Sequence, residues 1–176
     1  DTEMMLGQLA EKGYTFTDDE AEADIAVVNS CCFIGDAKEE SINTILQLAE
    51  LKTEGQLKAL IVCGCLAQRY KDEIQTEIPE VDAIIGTTAI DRIVETVDSV
   101  LAGKSENHLE DIDRACVYGV PRSVTTGGHF AYLKIAEGCD KHCTYCIIPK
   151  VRGNYRSVPM ESLIKEAKEL ADKGVR

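Results

Sequence analysis

Three short apolar runs, separated by longer amphipathic stretches, constrain the fold of this chain most strongly. The runs are residues 25–28, 60–62 and 81–85, and their β-branched composition is typical of strands buried on both faces. Around them, apolar residues recur at helical spacing. The clearest such face consists of Ile42, Ile45, Leu46 and Ala49. This alternation predicts an α/β fold with a parallel sheet and helices on both faces.

Glycine, proline and acidic residues mark where the predicted helices begin and end. Residues 3–12 are predicted to form a helix, and the spacing of Asp36 and Glu39 is that of a capping box, which predicts a helix start there. A long helix after the third apolar run is expected to stop near Gly103. Pro159 predicts the start of the last helix.

The same pattern divides the chain into three parts. Residues 1–102 carry the strand and helix alternation and are predicted to form one α/β domain. Residues 103–128 lose the periodicity and read as a connector, although residues 115–118 have the composition of a strand. Residues 129–176 contain an expected strand at 130–135, a loop and a helix, too little to bury a core alone. We therefore expect a truncated second domain there.

Charge is distributed unevenly along the chain. Residues 1–129 carry 25 acidic and 10 basic side chains, whereas residues 130–176 carry 6 and 9. A solvated acidic surface is the simplest explanation, and the alternative is a face that meets a basic partner. No apolar run is long enough to span a membrane. A cytoplasmic location is expected instead from the cysteine usage described next.

The chain has eight cysteines, a high number for its length. Secreted disulfide scaffolds reach such densities, but they are short and rich in loops. Long helical periods and apolar strands are instead typical of cytosolic enzymes, whose cysteines more often bind metal or do redox chemistry. The composition therefore favours metal-binding thiols.

Cys139, Cys143 and Cys146 follow the spacing C-x-x-x-C-x-x-C between a predicted strand and a predicted helix. Three thiolates on one tight loop can bind three corners of a four-iron, four-sulfur cluster and leave the fourth iron open. A structural zinc ion needs four ligands, and His142 is the one nearby candidate for the fourth. A disulfide with one free thiol is the third alternative. The spacing and its context favour the cluster.

Four further cysteines follow the first two predicted strands: Cys31, Cys32, Cys63 and Cys65. Ligand sites in parallel sheets lie at the carboxyl ends of strands, and neighbouring strands are about 5 Å apart. These thiols are therefore placed to reach one inorganic cluster. The alternative is that they fill core space, as free cysteines often do, and this is the better explanation for the isolated Cys116.

The segment G-C-D-K-H-C-T-Y-C that ends at Cys146 resembles the first β-loop-α unit of the radical S-adenosylmethionine superfamily. The resemblance implies that the open iron binds S-adenosylmethionine, which one electron cleaves to a 5′-deoxyadenosyl radical, and that the unit begins a (β/α) barrel. We expect Tyr145 to pack against the cluster and exclude water. Arg152 either neutralises the cofactor carboxylate or the reduced cluster, or is structural. Beyond the cluster ligands, no catalytic residue is predicted.

Two cysteine groups in this order resemble the methylthiotransferase family of radical S-adenosylmethionine enzymes. The segments V-N-S-C, ending at Cys31, and G-C-L-A-Q, containing Cys65, are similar to the family's N-T-C and G-C-x-A-Q motifs. The resemblance implies that Cys31 and Cys65 are ligands of a second four-iron cluster and that Cys32 and Cys63 are not. It places the third ligand upstream of Asp1.

Within this family, residues 31–42 and 131–140 are most similar to members that modify an aspartate of a small-subunit ribosomal protein. The resemblance implies transfer of a methylthio group to the aspartate β-carbon, with an electron donor such as flavodoxin or ferredoxin. The alternatives are a tRNA adenine methylthiotransferase, which the acidic first part disfavours, and a non-catalytic iron–sulfur module. Because segments of the family's pattern are missing, residues 1–176 alone are expected to be inactive.

Overall fold

The computed structural model describes all 176 residues and contains a three-stranded parallel sheet. Its strands are β1 (Ile25–Ser30), β2 (Ala59–Gly64) and β3 (Ala83–Ile85), in the order β1-β2-β3. Each strand coincides with one predicted apolar run. The α/β class and the parallel sheet predicted from sequence are thereby confirmed.

Helices cover both faces of this sheet, because the side chains of β2 alternate between two buried cores. Leu60 and Val62 face the first core, whereas Ile61 and Cys63 face the second. The helices of the first core are α2 (Gly35–Thr53), α3 (Cys65–Arg69) and α4 (Lys71–Glu77). Those of the second core are α1 (Thr2–Glu11) and α5 (Ile93–Leu101).

Helix α2 differs in detail from its prediction. It begins at Gly35 with Ile34 as the N-cap and no side-chain capping bond, so the Asp36–Glu39 capping box does not form. Asp36 already lies within the first turn, where its charge suits the helix dipole but cannot cap the end. Leu46 is 44 % exposed although it was expected to be buried. The face that contacts the sheet is centred instead on Ile45, Leu48 and Ala49.

The connector extends the sheet at a different place from the one expected. Residues 115–118 form no strand, whereas His108 makes a parallel bridge with Ile85. The His108 amide donates to Ile84 O at 2.9 Å, and the His108 carbonyl accepts from Gly86 N at 2.7 Å. His108 pairs here because the free edge of β3 offers unpaired backbone groups to the segment that follows.

The strand expected at residues 130–135 is also absent. A shorter strand, β4 (Ala136–Glu137), pairs antiparallel with β5 (Arg156–Ser157). Residues 130–135 have no neighbouring strand to complete a hydrogen-bond ladder, and Tyr132 is 74 % exposed. Helix α6 (Ile148–Arg152) follows the cysteine loop, and α7 (Met160–Asp172) begins directly after Pro159, as predicted.

Helix α6 docks the second part of the chain onto the first. Val151 is buried in the first core and lies with Leu66 of α3 in that cluster. The Thr87 hydroxyl, beyond the end of β3, donates to the carbonyl of Val151 at 2.7 Å. The limits predicted for the two domains and the connector stay a prediction. No helix combines the length and the apolar character that crossing a membrane requires.

Candidate metal centre

The first cysteine site lies where β1 and β2 end side by side. Ser30 pairs with Gly64 in the parallel register, so the residues that follow, Cys31 and Cys65, leave the sheet at neighbouring points. Gly64 has φ +94°, and a Cβ there would lie 2.5 Å from the Ser30 carbonyl oxygen. This close approach of the two strand ends therefore requires glycine.

Two serines fix the backbone at this edge. The Ser30 hydroxyl donates to the carbonyl of Cys63 at 2.5 Å, and the Ser41 hydroxyl of α2 accepts from the Cys31 amide at 2.9 Å. Cys31 and Cys65 are both half-buried, so their sulfurs are held in place yet reachable. The sequence reading missed the role of Ser41, because nothing in its spacing shows the contact.

The other two thiols of this region belong to the packed cores. Cys63 is fully buried, its sulfur lies 3.9 Å from Met5 Sδ, and burial raises the pKa of its thiol to about 12. Cys32 is buried in the opposite core, where burial and the neighbouring Cys65 raise its pKa. Since a metal ligand must be a thiolate, both residues suit a core role better than a ligand role.

The second cysteine site is the loop between β4 and α6. The Cys139 amide donates to the carbonyl of Gly153 at 3.0 Å, and the Cys146 amide donates to the carbonyl of Cys143 at 2.9 Å. Gly138 has φ +76°, and a Cβ there would lie 2.0 Å from the carbonyl oxygen of Asn154. The start of the loop is therefore tightly packed at Gly138, whereas its middle is open, with Cys143 exposed.

The chemistry of this loop fits an iron–sulfur cluster better than a single ion. All eight cysteines are free thiols. A structural zinc ion needs four protein ligands, whereas three thiolates can hold a four-iron cluster and leave one iron open.

Arg152 lies between the two cysteine sites. Its Nε donates to Cys65 Sγ at 3.1 Å, and its Nη1 lies 3.0 Å from Asp1 Oδ2 and 3.3 Å from Glu137 Oε1. Burial alone would lower the pKa of Arg152, but the charges of Cys65 and Glu137 and their hydrogen bonds outweigh it and raise the pKa. Sequence reasoning singled out Arg152 but not its partners Asp1 and Glu137.

Tyr145 lies at the surface of the cysteine loop and is 90 % exposed. Its contact with a cluster stays a prediction, as do the roles assigned to the five cysteines. Gln68, the last residue of the G-C-L-A-Q segment, accepts from the Thr87 amide at 3.1 Å and thereby ties α3 to the end of β3.

The family comparisons cover both cysteine-bearing parts. Residues 1–86 match the family described as Uncharacterized protein family UPF0004. Residues 133–176, which contain the cysteine loop, match the Radical SAM superfamily. Together with the relatives described next, these matches confirm the resemblance to the radical S-adenosylmethionine methylthiotransferases.

The chain is also similar to individual proteins that carry the name RimO. The chain is 61 % identical over 176 residues to the ribosomal protein uS12 methylthiotransferase RimO of Lachnoclostridium phytofermentans, and all of the chain and 40 % of that protein are aligned. The RimO proteins of Clostridioides difficile and Desulforamulus reducens are 52 % and 51 % identical, again over the whole chain and 40 % of each relative. The chain thus spans about two fifths of the length of these curated relatives.

Proposed function

We propose that the protein is a radical S-adenosylmethionine methylthiotransferase that adds a methylthio group to the β-carbon of an aspartate in a small-subunit ribosomal protein. The observation that carries this proposal is the proximity of the two cysteine sites. Arg152 contacts Cys65 at 3.1 Å, and the next residue, Gly153, accepts a hydrogen bond from Cys139 at 3.0 Å. Two consecutive residues therefore contact the Cys65 sulfur of one site and the Cys139 backbone of the other.

This proximity suits a two-site reaction. Cys139, Cys143 and Cys146 would hold a four-iron cluster, with S-adenosylmethionine on the open iron, while Cys31 and Cys65 supply two ligands of a second cluster. When bound, the first cluster supplies the electron that cleaves S-adenosylmethionine. The chain's own residues bring the two sites together and leave the loop's middle open for the cofactor.

The substrate follows from the relatives' names and from charge. The relatives act on ribosomal protein uS12 by name, and residues 1–129 carry 25 acidic side chains against 10 basic ones. An acidic surface attracts a basic ribosomal protein and repels the phosphates of tRNA. Flavodoxin or ferredoxin is the proposed class of electron donor, and the cytoplasm is the proposed location.

The test is anaerobic reconstitution of the whole protein with iron and sulfide. We expect iron and sulfide for two four-iron clusters, one of which changes its electron paramagnetic resonance spectrum when S-adenosylmethionine is added. With a reductant, we expect 5′-deoxyadenosine and a methylthio group on uS12, located by peptide mass spectrometry.

Other outcomes separate the competing functions. A methylthio group on a tRNA adenine, with unmodified uS12, would replace the proposed substrate and keep the chemistry. A cluster that does not respond to S-adenosylmethionine would identify a non-catalytic iron–sulfur module. Analysis of digested tRNA checks the first alternative, and the apoprotein is the control for the second.

A further inference from the structure

The guanidinium of Arg152 contacts both cysteine-bearing parts of the chain. One edge donates from Nε to Cys65 Sγ at the start of α3. The other lies within 3.4 Å of both carboxylate oxygens of Glu137, two residues before Cys139. A planar guanidinium presents several N–H groups in a fixed arrangement, so these contacts hold their partners at a set separation.

Arg152 contacts the surrounding carboxylates through Nη1, so its Nε–H group is left to donate to the Cys65 sulfur. Lys134 and Arg152 face the carboxylates of Asp1 and Glu137, so two cations balance two anions. The side chains of Arg152, Asp1 and Glu137 are 22 %, 13 % and 11 % exposed, and their interactions are only weakly screened by solvent. The bond to Cys65 is an interaction that Arg152 makes in addition to these ion pairs.

The backbone around Arg152 is itself anchored to both parts. Val151 is buried in the first core, and its carbonyl accepts from Thr87. Gly153 binds the Cys139 amide, and a Cβ on Gly153 would lie 2.4 Å from the Ile112 carbonyl oxygen. Movement of Arg152 relative to either site is therefore restricted by packing as well as by charge.

We propose that Arg152 is a positioning residue that fixes the Cys65 sulfur relative to the cysteine loop and raises the reduction potential of the cluster bound through Cys65. This inference rests on the proposed function, because it requires Cys65 to be a cluster ligand. An N–H donor beside a ligand sulfur stabilises the more negative, reduced form of a cluster. Loss of the donor therefore makes that cluster harder to reduce.

The experiment compares Arg152→Gln, Arg152→Lys and the wild type in the whole reconstituted protein. Lys150→Gln is the matched control, since it removes an exposed positive charge from the same helix. Redox titration followed by electron paramagnetic resonance should show a lower midpoint potential for the Cys65 cluster in Arg152→Gln. We expect a smaller shift in Arg152→Lys, which keeps the charge but not the planar donor, and no shift in Lys150→Gln.

The possible failures are distinguishable. A wild-type protein without a cluster dependent on Cys65 would refute the proposed function and this inference with it. A Cys65 cluster with the same midpoint potential in wild type and Arg152→Gln would refute the inference alone. If Arg152→Gln does not fold, as judged by circular dichroism, the potential of Arg152→Lys decides: an unshifted value overturns the inference, and a lowered one supports it.

Discussion

Burial differs between the cysteines at the ends of β1 and β2. Cys32 and Cys63 are buried in opposite cores, and burial raises the pKa of both thiols. Cys31 and Cys65 are half-buried at the strand ends. Since the thiolate is the form that binds metal, residues of the same type a few positions apart differ in their chemistry because their exposure differs.

The loop cysteines lead to the first prediction. In Cys143→Ala, cleavage of S-adenosylmethionine should be abolished, because the loop has no other thiol to replace this ligand, while the first-domain cluster should remain. The measurement is 5′-deoxyadenosine production together with iron content. Wild-type amounts of 5′-deoxyadenosine from this variant would contradict the assignment of the loop.

The strand-end cysteines lead to the second prediction. Cys31→Ala and Cys65→Ala should stop methylthio transfer and still allow some 5′-deoxyadenosine to form, because the radical arises at the other site. Cys32→Ala and Cys63→Ala should keep transfer and lose stability by about 1 kcal/mol from the small cavities. Product analysis and thermal unfolding check both pairs. If Cys32 proves essential and Cys31 dispensable, the ligand assignment is shifted by one residue.

Among the secondary-structure elements, the junction of β1 and β2 leads to the third prediction. Gly64→Ala should destabilise the protein by more than 2 kcal/mol and reduce iron bound at the strand ends. Its backbone, at φ +94° and ψ −158°, lies in a region essentially confined to glycine, which alone costs another residue about 1–3 kcal/mol, and the added Cβ would lie 2.5 Å from Ser30 O. Denaturant unfolding and iron analysis give the two values.

Gly55→Ala provides the matched control for this prediction. Gly55 has a similar φ of +83°, but nothing lies within 4 Å of the Cβ position. The difference between the two variants therefore reports what the close approach of the strand ends, together with the ψ of −158° at Gly64, adds to the cost of a positive φ. Equal losses of stability and iron in both variants would show that this approach is unimportant.

The sheet could be predicted because its strands are continuous apolar runs, a pattern that depends only on local sequence. The Asp36–Glu39 pair predicts the wrong start for α2, because a capping motif can lie inside a helix as well as at its end. The strand expected at residues 130–135 does not form, for a reason that local sequence does not show. A strand needs a partner, and β-branched or aromatic composition does not supply one.

The candidate site shows the same distinction between local and long-range information. The cysteine spacing revealed the loop, and the strand ends indicated that Cys31 and Cys65 would be close, as the register of Ser30 with Gly64 supports. The contact between Arg152 and Cys65 joins residues that are 87 positions apart. No spacing rule reports such a contact, so only the folded structure reveals it.

At the scale of the whole molecule, the connector ties the two ends of the chain together through one arginine. Arg122 pairs with Glu3 of α1 at 2.5 Å and with Glu166 of α7 at 2.7 Å. The backbone amide of Thr125 also donates to Glu3, at 2.8 Å. The Arg122 and Glu3 side chains are only 12 % and 13 % exposed, so solvent screens this bridge weakly.

The bridge leads to a prediction about acid stability. Burial by itself would raise the pKa of Glu3, but hydrogen bonds from Thr125 and Arg122 outweigh it and hold the pKa below its ordinary value. A carboxyl group with a lowered folded pKa stabilises the protein above its unfolded pKa of about 4.3 and loses this effect as the pH falls through the folded pKa. Glu3→Gln should therefore destabilise the protein at neutral pH, by about 2 kcal/mol.

Thermal unfolding of wild type and Glu3→Gln between pH 7 and pH 3 checks this prediction. The gap in Tm should be constant down to about pH 5 and close as wild-type Glu3 becomes protonated. Glu11→Gln, an exposed substitution at the other end of α1, should leave Tm unchanged at every pH. A gap for Glu3→Gln that stays the same at pH 3 would show that the variant acts through packing rather than through charge, because the carboxylate would then contribute nothing that protonation removes.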